Sequence, residues 1–592
     1  MDTKEKRSFR SVLGYLLIGI SVIMLGKSLM LCFSNDIWYD ELFTVGMIEH
    51  SYGDLIAFTA RDVHPPLYYC IVKFAVELCK LISTNANTVI IAKTVSVLPY
   101  FILLLYSVTF IRKRFGIFTG GLFMFCVIAM PQLSAYTVEV RMYSWALLFV
   151  TAAFLHAYGI VTENADNALC KPNCDECDVV DRGMVHDRNH NHKVSYKQRL
   201  HIVALVIYGF AAAYTHYFAC VAVIMVYLYV LFVFLVKDWG RVKQWLLWVM
   251  LSIAGYAPWL YALYRQITAV NENYWILPLS WRTLGGCVKF LMKPAFASDV
   301  LNTVLAVVLF AIYITVLVWN GVKLYHNRIE YNKNADNVED EDGERNDIQH
   351  AYLTKQWYDL IFIASGIGAL VGLVLFGFVA SVVLRPIFVY RYMIPALGCF
   401  WLSFAVGLDA IVKENVSSPT AFFLTDKRKI TTVTIYRNKI YKGIMLVVCF
   451  FIMIVGLRDY RAFMGEEEYK ILQMKDTMAA FDEIAPTDIL IFNFDQVQMA
   501  VGYYTENDSY LWYGNPETLV QDICGEKGAL NEDTAQIKEW LTQDRAVWFI
   551  GSFNSREDII EEWRSAGIAA EETGSYLLER YWFNLYKLSI DG

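Results

Sequence analysis

The 592-residue chain lacks most marks of a soluble, secreted or nucleic-acid-binding protein. Its hydrophobic runs are continuous and do not alternate apolar with polar residues, which excludes a transmembrane barrel. No small-residue cleavage site follows the first apolar run, so that run is expected to be a retained anchor. There is no basic excess: the net charge of −7 is spread over several loops, and no nucleic-acid partner is expected. The last part of the chain has one cysteine, Cys524, so no disulfide framework is expected there. It also has no phosphate-binding glycine loop and no evident nucleophile. The 12 cysteines otherwise fall mostly inside apolar runs, where they act as small hydrophobes.

What is present is apolar. Hydrophobic residues make up 56% and aromatics 15% of the chain, with a mean hydropathy of +0.38. Runs long enough to cross a bilayer recur along most of the length. The fold class expected is an all-α polytopic membrane protein of about eleven spans with interfacial helices. A small C-terminal extracytoplasmic α/β domain follows. The domains are placed at 1–457 and 458–592. The spans are read at 11–33, 89–111, 118–130, 143–161, 202–220, 221–236, 245–264, 301–319, 360–383, 392–412 and 444–457. The apolar segment 65–82 is short and carries Lys73, Glu77 and Lys80 at helical spacing, so it is read as a helix lying in the interface. That choice puts Arg112-Lys113-Arg114, the 237–243 loop and Lys427-Arg428-Lys429 on the inner side, as the positive-inside bias requires. The outer segments are then 35–88, 131–142, 214–217, 265–299 and 385–391.

Two inner loops stand apart. Residues 163–199 contain Cys170, Cys174 and Cys177, then His186, His190 and His192. These are ligand types for zinc, although the spacing fits no finger pattern; a structural metal and a flexible polar loop are the two readings. Residues 327–350 are acidic and Asn-rich and are expected to be disordered. In the C-terminal part, 488–494 and 546–553 read as strands, and 533–541 and 556–566 as helices. This domain either covers the active site or is passive.

Chemistry concentrates on the outer face. Trp38-Tyr39-Asp40-Glu41 puts adjacent carboxylates just past the first span, followed by Asp62-Val63-His64-Pro65-Pro66. Acids at a membrane boundary are costly unless solvated or used. Glu139-Val140-Arg141, Tyr214-Thr215-His216-Tyr217, and Arg385 with Arg391-Tyr392 join them on the same face. Taken singly, each also reads as a hydrated or interface-anchoring residue.

The ordered set Trp38-Tyr39-Asp40-Glu41, His64-Pro65-Pro66-Leu67-Tyr68-Tyr69, Glu139-Val140-Arg141-Met142-Tyr143, Tyr214-Thr215-His216-Tyr217-Phe218 and Arg391-Tyr392-Met393-Ile394-Pro395 resembles bacterial membrane glycosyltransferases of the GT-C superfamily. The branch is that of the protein O-mannosyltransferases and the lipid A aminoarabinose transferase. The resemblance covers the membrane part, about three quarters of the chain. Relatives commonly have Glu-Ala-Arg where this chain has Glu139-Val140-Arg141. The resemblance implies a multi-pass protein of the cell membrane with its site on the extracytoplasmic face. It also implies two perpendicular helices in the first outer loop. The donor would be a polyprenyl-phosphate-linked sugar of undecaprenyl type, transferred with inversion to a lipid, glycan or protein acceptor. Asp40, Glu41 and Glu139 are then the catalytic candidates. His64, Arg141, His216, Arg385, Arg391 and Tyr392 are the donor- and phosphate-binding candidates. No cofactor is required, and a divalent metal is compatible with the reaction. Two other classes fit parts of the sequence: a flippase or transporter of lipid-linked substrates, and a non-catalytic scaffold for envelope assembly. A transporter predicts inverted repeats and mid-membrane ionisable groups; here no repeat is visible and the charges lie at span ends.

Overall fold

Long apolar runs fold as helices because in lipid each backbone polar group has to be satisfied within its own segment. A computed structural model of the chain describes residues 9–34, 36–169, 195–269, 276, 278–335, 343–413, 427–514, 518–525, 528–543 and 545–590. Among them, 9 helices are long and apolar enough to cross a membrane, and the protein is a multi-pass helical membrane protein. The other two expected spans are also helices: Ile117–Ala129 has 13 residues and Tyr196–Thr215 has 20. The segment read as interfacial is the 16-residue helix Leu67–Ile82.

The chain divides into two compact units. The first comprises Met1–Leu25, Pro99–Thr137 and Tyr143–Tyr460. Its helices pack closely where small residues permit it. A Cβ added to Gly121 would lie 2.4 Å from the Gly14 carbonyl oxygen, so substituting either glycine forces the two helices apart. The side chains of Arg10 and Asp409 form an ion pair that ties the first span to the helix Ile394–Lys413. Tyr217 begins a new helix after His216 adopts extended backbone (φ −160°, ψ 135°). The break therefore lies inside the expected outer segment 214–217 and not at 220/221. The stretch expected to be disordered is helical on both sides: Asp299–Ala335 and Gly343–Val383 continue beyond their apolar cores. Asn327 Nδ2 donates to Gln356 Oε1 at 3.1 Å across the pair, one of the contacts that composition alone does not reveal.

The second unit comprises Gly26–Leu98, Val138–Met142 and Arg461–Gly592. Its C-terminal part is a six-stranded sheet. The strands are β1 (Ile489–Phe492), β2 (Asp508–Leu511), β3 (Gly528–Ala529), β4 (Val547–Gly551), β5 (Ile568–Leu578) and β6 (Tyr581–Ile590), in the order β3-β2-β1-β4-β6-β5. The first four are parallel and joined by helices, and β6 runs antiparallel to both β4 and β5. The two strands and two helices read from sequence are β1, β4, Thr534–Thr542 and Ser555–Ser565. β2, β3 and the β5–β6 hairpin were not anticipated.

Alternation along the strands divides the core in two. Ile489, Ile491, Val547 and Phe549 pack with Trp540, Trp563 and Leu588 on one face. Leu490, Phe492, Trp548, Ile550, Phe583 and Leu585 face the other way and bury Ile37, Leu42 and Val45. Those three belong to the Asp40 segment, so the short helix Tyr39–Glu49 is held on the sheet of the C-terminal domain. Each such burial stabilises by roughly 1.5–3 kcal/mol.

Candidate active site

The acidic pair opens the helix Tyr39–Glu49, with Trp38 as its cap residue and both carboxylates in the first turn. Negative charge is favoured there by the helix dipole and the unpaired N–H groups. The two acids then part. Glu41 lies at the third helical position and is buried. Its Oε2 accepts from the Trp38 N–H at 3.2 Å and its Oε1 from the Val140 N–H at 2.7 Å. Thr44 Oγ1 adds a bond to the Val140 carbonyl at 3.0 Å. Burial pushes the Glu41 carboxyl above its ordinary range, opposed by Lys93 and by the two backbone N–H groups. Glu41 thus joins the start of this helix to the 138–142 segment.

Asp40 keeps 21% of its side chain exposed, against 6% for the neighbouring Arg141. Arg141 Nη1 donates to the Asp40 carbonyl at 3.0 Å, and its Nη2 lies 3.8 Å from the Asp40 carboxylate. That contact is a loose ion pair at the edge of the charge-pairing range. The buried Glu139 precedes Arg141 by two residues, and the Arg141 N–H donates to its carbonyl at 2.7 Å.

The Asp62–His64 turn contributes a second polar edge. His64 Nδ1 is 3.4 Å from Asp62 Oδ2, with both side chains largely buried. Burial raises the Asp62 carboxyl, but the His64 ring, the Val63 N–H and the Arg141 charge outweigh it and hold it below the usual range. The helix from Leu67 places Tyr69 among Arg141, Asp62 and Asp40. The Tyr69 hydroxyl is buried and has no hydrogen-bond partner among the described residues. Tyr69 lies in the quoted set His64-Pro65-Pro66-Leu67-Tyr68-Tyr69 but is not among the catalytic or binding candidates named from sequence.

The second unit therefore gathers Asp40, Glu41, His64, Glu139 and Arg141. His216, Arg391 and Tyr392 gather in the first unit. There the rings of His216 and Tyr392 are 5.0 Å apart, Tyr143 is 5.7 Å from His216, and the Arg391 guanidinium lies 5.9 Å from the Tyr143 centroid. His216 Nδ1 accepts from the Phe218 N–H at 3.1 Å and so caps the helix Tyr217–Lys237. Arg385 is half-buried in the irregular stretch that follows the helix Gly343–Val383.

Sequence reading missed Asp36, Lys93 and Glu579. Lys93 Nζ meets Asp36 Oδ1 at 2.8 Å, both side chains being buried. The signal was available: Lys93 is the one charged residue within the 89–111 run. Among the described residues no group of three or more His, Cys, Asp or Glu side chains is set to hold a metal ion. Cys170, Cys174, Cys177, His186 and His190 lie outside the described residues.

No family model and no curated protein matches the chain. Solved structures do. ArnT from Cupriavidus metallidurans in the apo state matches at 12% identity and a TM-score of 0.48, covering 98% of this chain and 98% of its own. The same protein bound to undecaprenyl phosphate matches at 13% identity and a TM-score of 0.47, covering 97% of each chain. The archaeal oligosaccharyltransferase AglB from Archaeoglobus fulgidus, in complex with an inhibitory peptide and a dolichol-phosphate, matches at 10% identity and a TM-score of 0.36, covering 91% of this chain and 69% of its own. Likeness this remote carries no argument, and the functional reading rests on the residues of this chain.

Proposed function

We propose that the protein is an inverting glycosyltransferase of the cell membrane. It moves a sugar from a polyprenyl-phosphate donor to an acceptor on the extracytoplasmic face. One observation carries the reading: of two adjacent carboxylates, Glu41 is buried and bound to backbone N–H groups, while Asp40 is left partly open beside a buried arginine.

That division suits the chemistry. An acceptor hydroxyl attacking the anomeric carbon has to lose its proton, and Asp40 is the base that takes it. A new C–O bond forms on one face of the sugar as the C–O bond to phosphate breaks on the other, so the configuration inverts. The electron pair leaves with the polyprenyl phosphate, which needs cationic support and no proton donor. Arg141 and His64 supply positive character and N–H donors in the Asp40 unit. Arg391 and Arg385 are proposed as phosphate ligands on their chemistry, because a guanidinium fork meets phosphate oxygens bidentately. Glu139 shares the Arg141 segment and is proposed to orient it.

Purified protein incubated with labelled polyprenyl-phosphate sugar is expected to release polyprenyl phosphate, quickly with acceptor and slowly by hydrolysis without it. A folded wild-type protein that leaves a panel of such donors intact sinks this reading.

A further inference from the structure

The tip of the β5–β6 hairpin is a two-residue turn, Glu579-Arg580, between the paired residues Leu578 and Tyr581. Glu579 has a φ of 56°, a left-handed conformation that glycine adopts freely at such a turn and a glutamate does not. Its side chain is nevertheless buried, at 5% exposure, and Oε1 has no hydrogen-bond partner among the described residues. A non-glycine residue held in a sparsely populated conformation, with its carboxyl turned inward, points to work done by the side chain.

That carboxyl lies among Asp36, Glu41, Lys93 and Lys470; Asp36 and Lys93 also act on Glu41 in the first turn of the Asp40 helix. Next to it, the Arg580 guanidinium sits 3.8 Å from the centroid of the Trp38 ring, the residue that caps that helix. Tyr504, from the same domain, accepts a hydrogen bond from the Ile37 N–H at 3.0 Å. Residues 36, 37 and 38 are thus each addressed by the C-terminal domain or by the buried charge cluster it closes. Its attachment is to the loop that presents Asp40.

We infer that Glu579 and Arg580 are positioning residues: the hairpin tip holds residues 36–41 in the conformation that presents Asp40 to the reaction. The inference rests on the transferase reading for its catalytic consequence, and on geometry alone for the anchoring. It gives the C-terminal domain a role in turnover without contact with substrate.

Glu579→Gly is the decisive variant because it relieves the turn, so loss of folding is not expected. If the side chain only fills a turn, this variant is at least as stable as wild type and fully active. If it anchors the loop, hydrogen exchange of the backbone amides in 36–42 speeds up by about tenfold while the sheet amides stay protected. The turnover number then falls by about fivefold at a donor KM within about twofold of wild type. Arg580→Ala is expected to act in the same direction through Trp38, and to add nothing in a Trp38→Ala background. Glu579→Gln, which preserves the shape, is expected to restore the wild-type exchange pattern. Wild-type exchange in 36–42 for both Glu579→Gly and Arg580→Ala overturns the anchoring. Faster exchange with an unchanged turnover number overturns the positioning role. A wild-type protein that processes no donor refutes the transferase reading, and the exchange result still decides whether the hairpin holds the loop.

Discussion

The second unit holds two clusters of charge built from the same residue types, and they are treated in opposite ways. Around Asp40, the ion pair with Arg141 is loose at 3.8 Å and part of the carboxylate reaches solvent. Around Lys93, Asp36 is paired at 2.8 Å and Glu41 and Glu579 are shut in. Burying charge is costly unless every partner is present, and breaking such a set is more costly than never forming it. A closed cluster therefore suits holding a loop in one shape. An open one suits proton transfer, which requires a base within reach of substrate and able to change its charge. Two acids adjacent in sequence, Asp40 and Glu41, fall on opposite sides of this division.

Exchanging the two acids for their amides tests the division most severely. Asp40→Asn is expected to leave the thermal midpoint unchanged and to lower turnover by roughly a hundredfold or more. Glu41→Gln comes below it on activity and far above it on stability. It removes one of two carboxylate acceptors and sets an NH₂ group against a backbone N–H, which costs about 1–3 kcal/mol, measurable as a lower unfolding midpoint. Next are the cations. Arg141→Lys loses the fork that spans the Asp40 carbonyl and carboxylate, and turnover should fall by about tenfold. Arg391→Lys and Arg385→Lys should cost at least about tenfold per bound donor if they clamp phosphate; full activity in both across donor concentrations marks them as headgroup anchors.

The smallest effect is a pH dependence confined to the closed cluster. Burial, with Asp36 and Glu41 adding to it and Lys93 and Lys470 opposing, raises the Glu579 carboxyl from 4.5 to about 8. Tyr504 and Tyr581 are the other titratable groups that sense it. A carboxyl that keeps its proton in the folded chain but sheds it near 4.5 when unfolded favours folding at low pH. This contribution fades as pH climbs from about 4.5 towards 8 and is gone above that. Glu579→Gln cannot lose it, so its melting point should gain on wild type by roughly 2–4 °C between pH 5 and pH 8. A constant difference across that range would place Glu579 outside the closed cluster.

The spans were legible because an apolar run of bilayer length has few other folds open to it, and Tyr143–Glu163 or Tyr217–Lys237 could hardly be read otherwise. β1 and β4 were legible for the same reason: ILIF and VWFIG are short, wholly apolar and buried along their length. β5 was not, since IAAEETGSYLL carries an exposed polar centre, Glu571-Glu572-Thr573, and is interrupted by an irregularity at Glu572/Gly574. Asp40 and Glu41 were legible from their place after the first span. That Glu41 is buried while Asp40 stays partly exposed was not, because the N–H that holds Glu41 belongs to Val140, about a hundred residues on. Helical continuation through 327–335 and 343–350 was missed because composition records the polarity of those residues and not contacts such as the Asn327–Gln356 bond between the two helices.

The central claim is that this protein transfers a sugar from a lipid phosphate with Asp40 as the base. Its most direct test is the anomeric configuration of the product formed from a labelled polyprenyl-phosphate sugar, followed by NMR alongside release of the lipid phosphate. The account expects one lipid phosphate released per sugar transferred, inverted configuration at the anomeric carbon, and loss of both signals in folded Asp40→Asn protein. Transfer with retained configuration, or wild-type rates in Asp40→Asn, would contradict it.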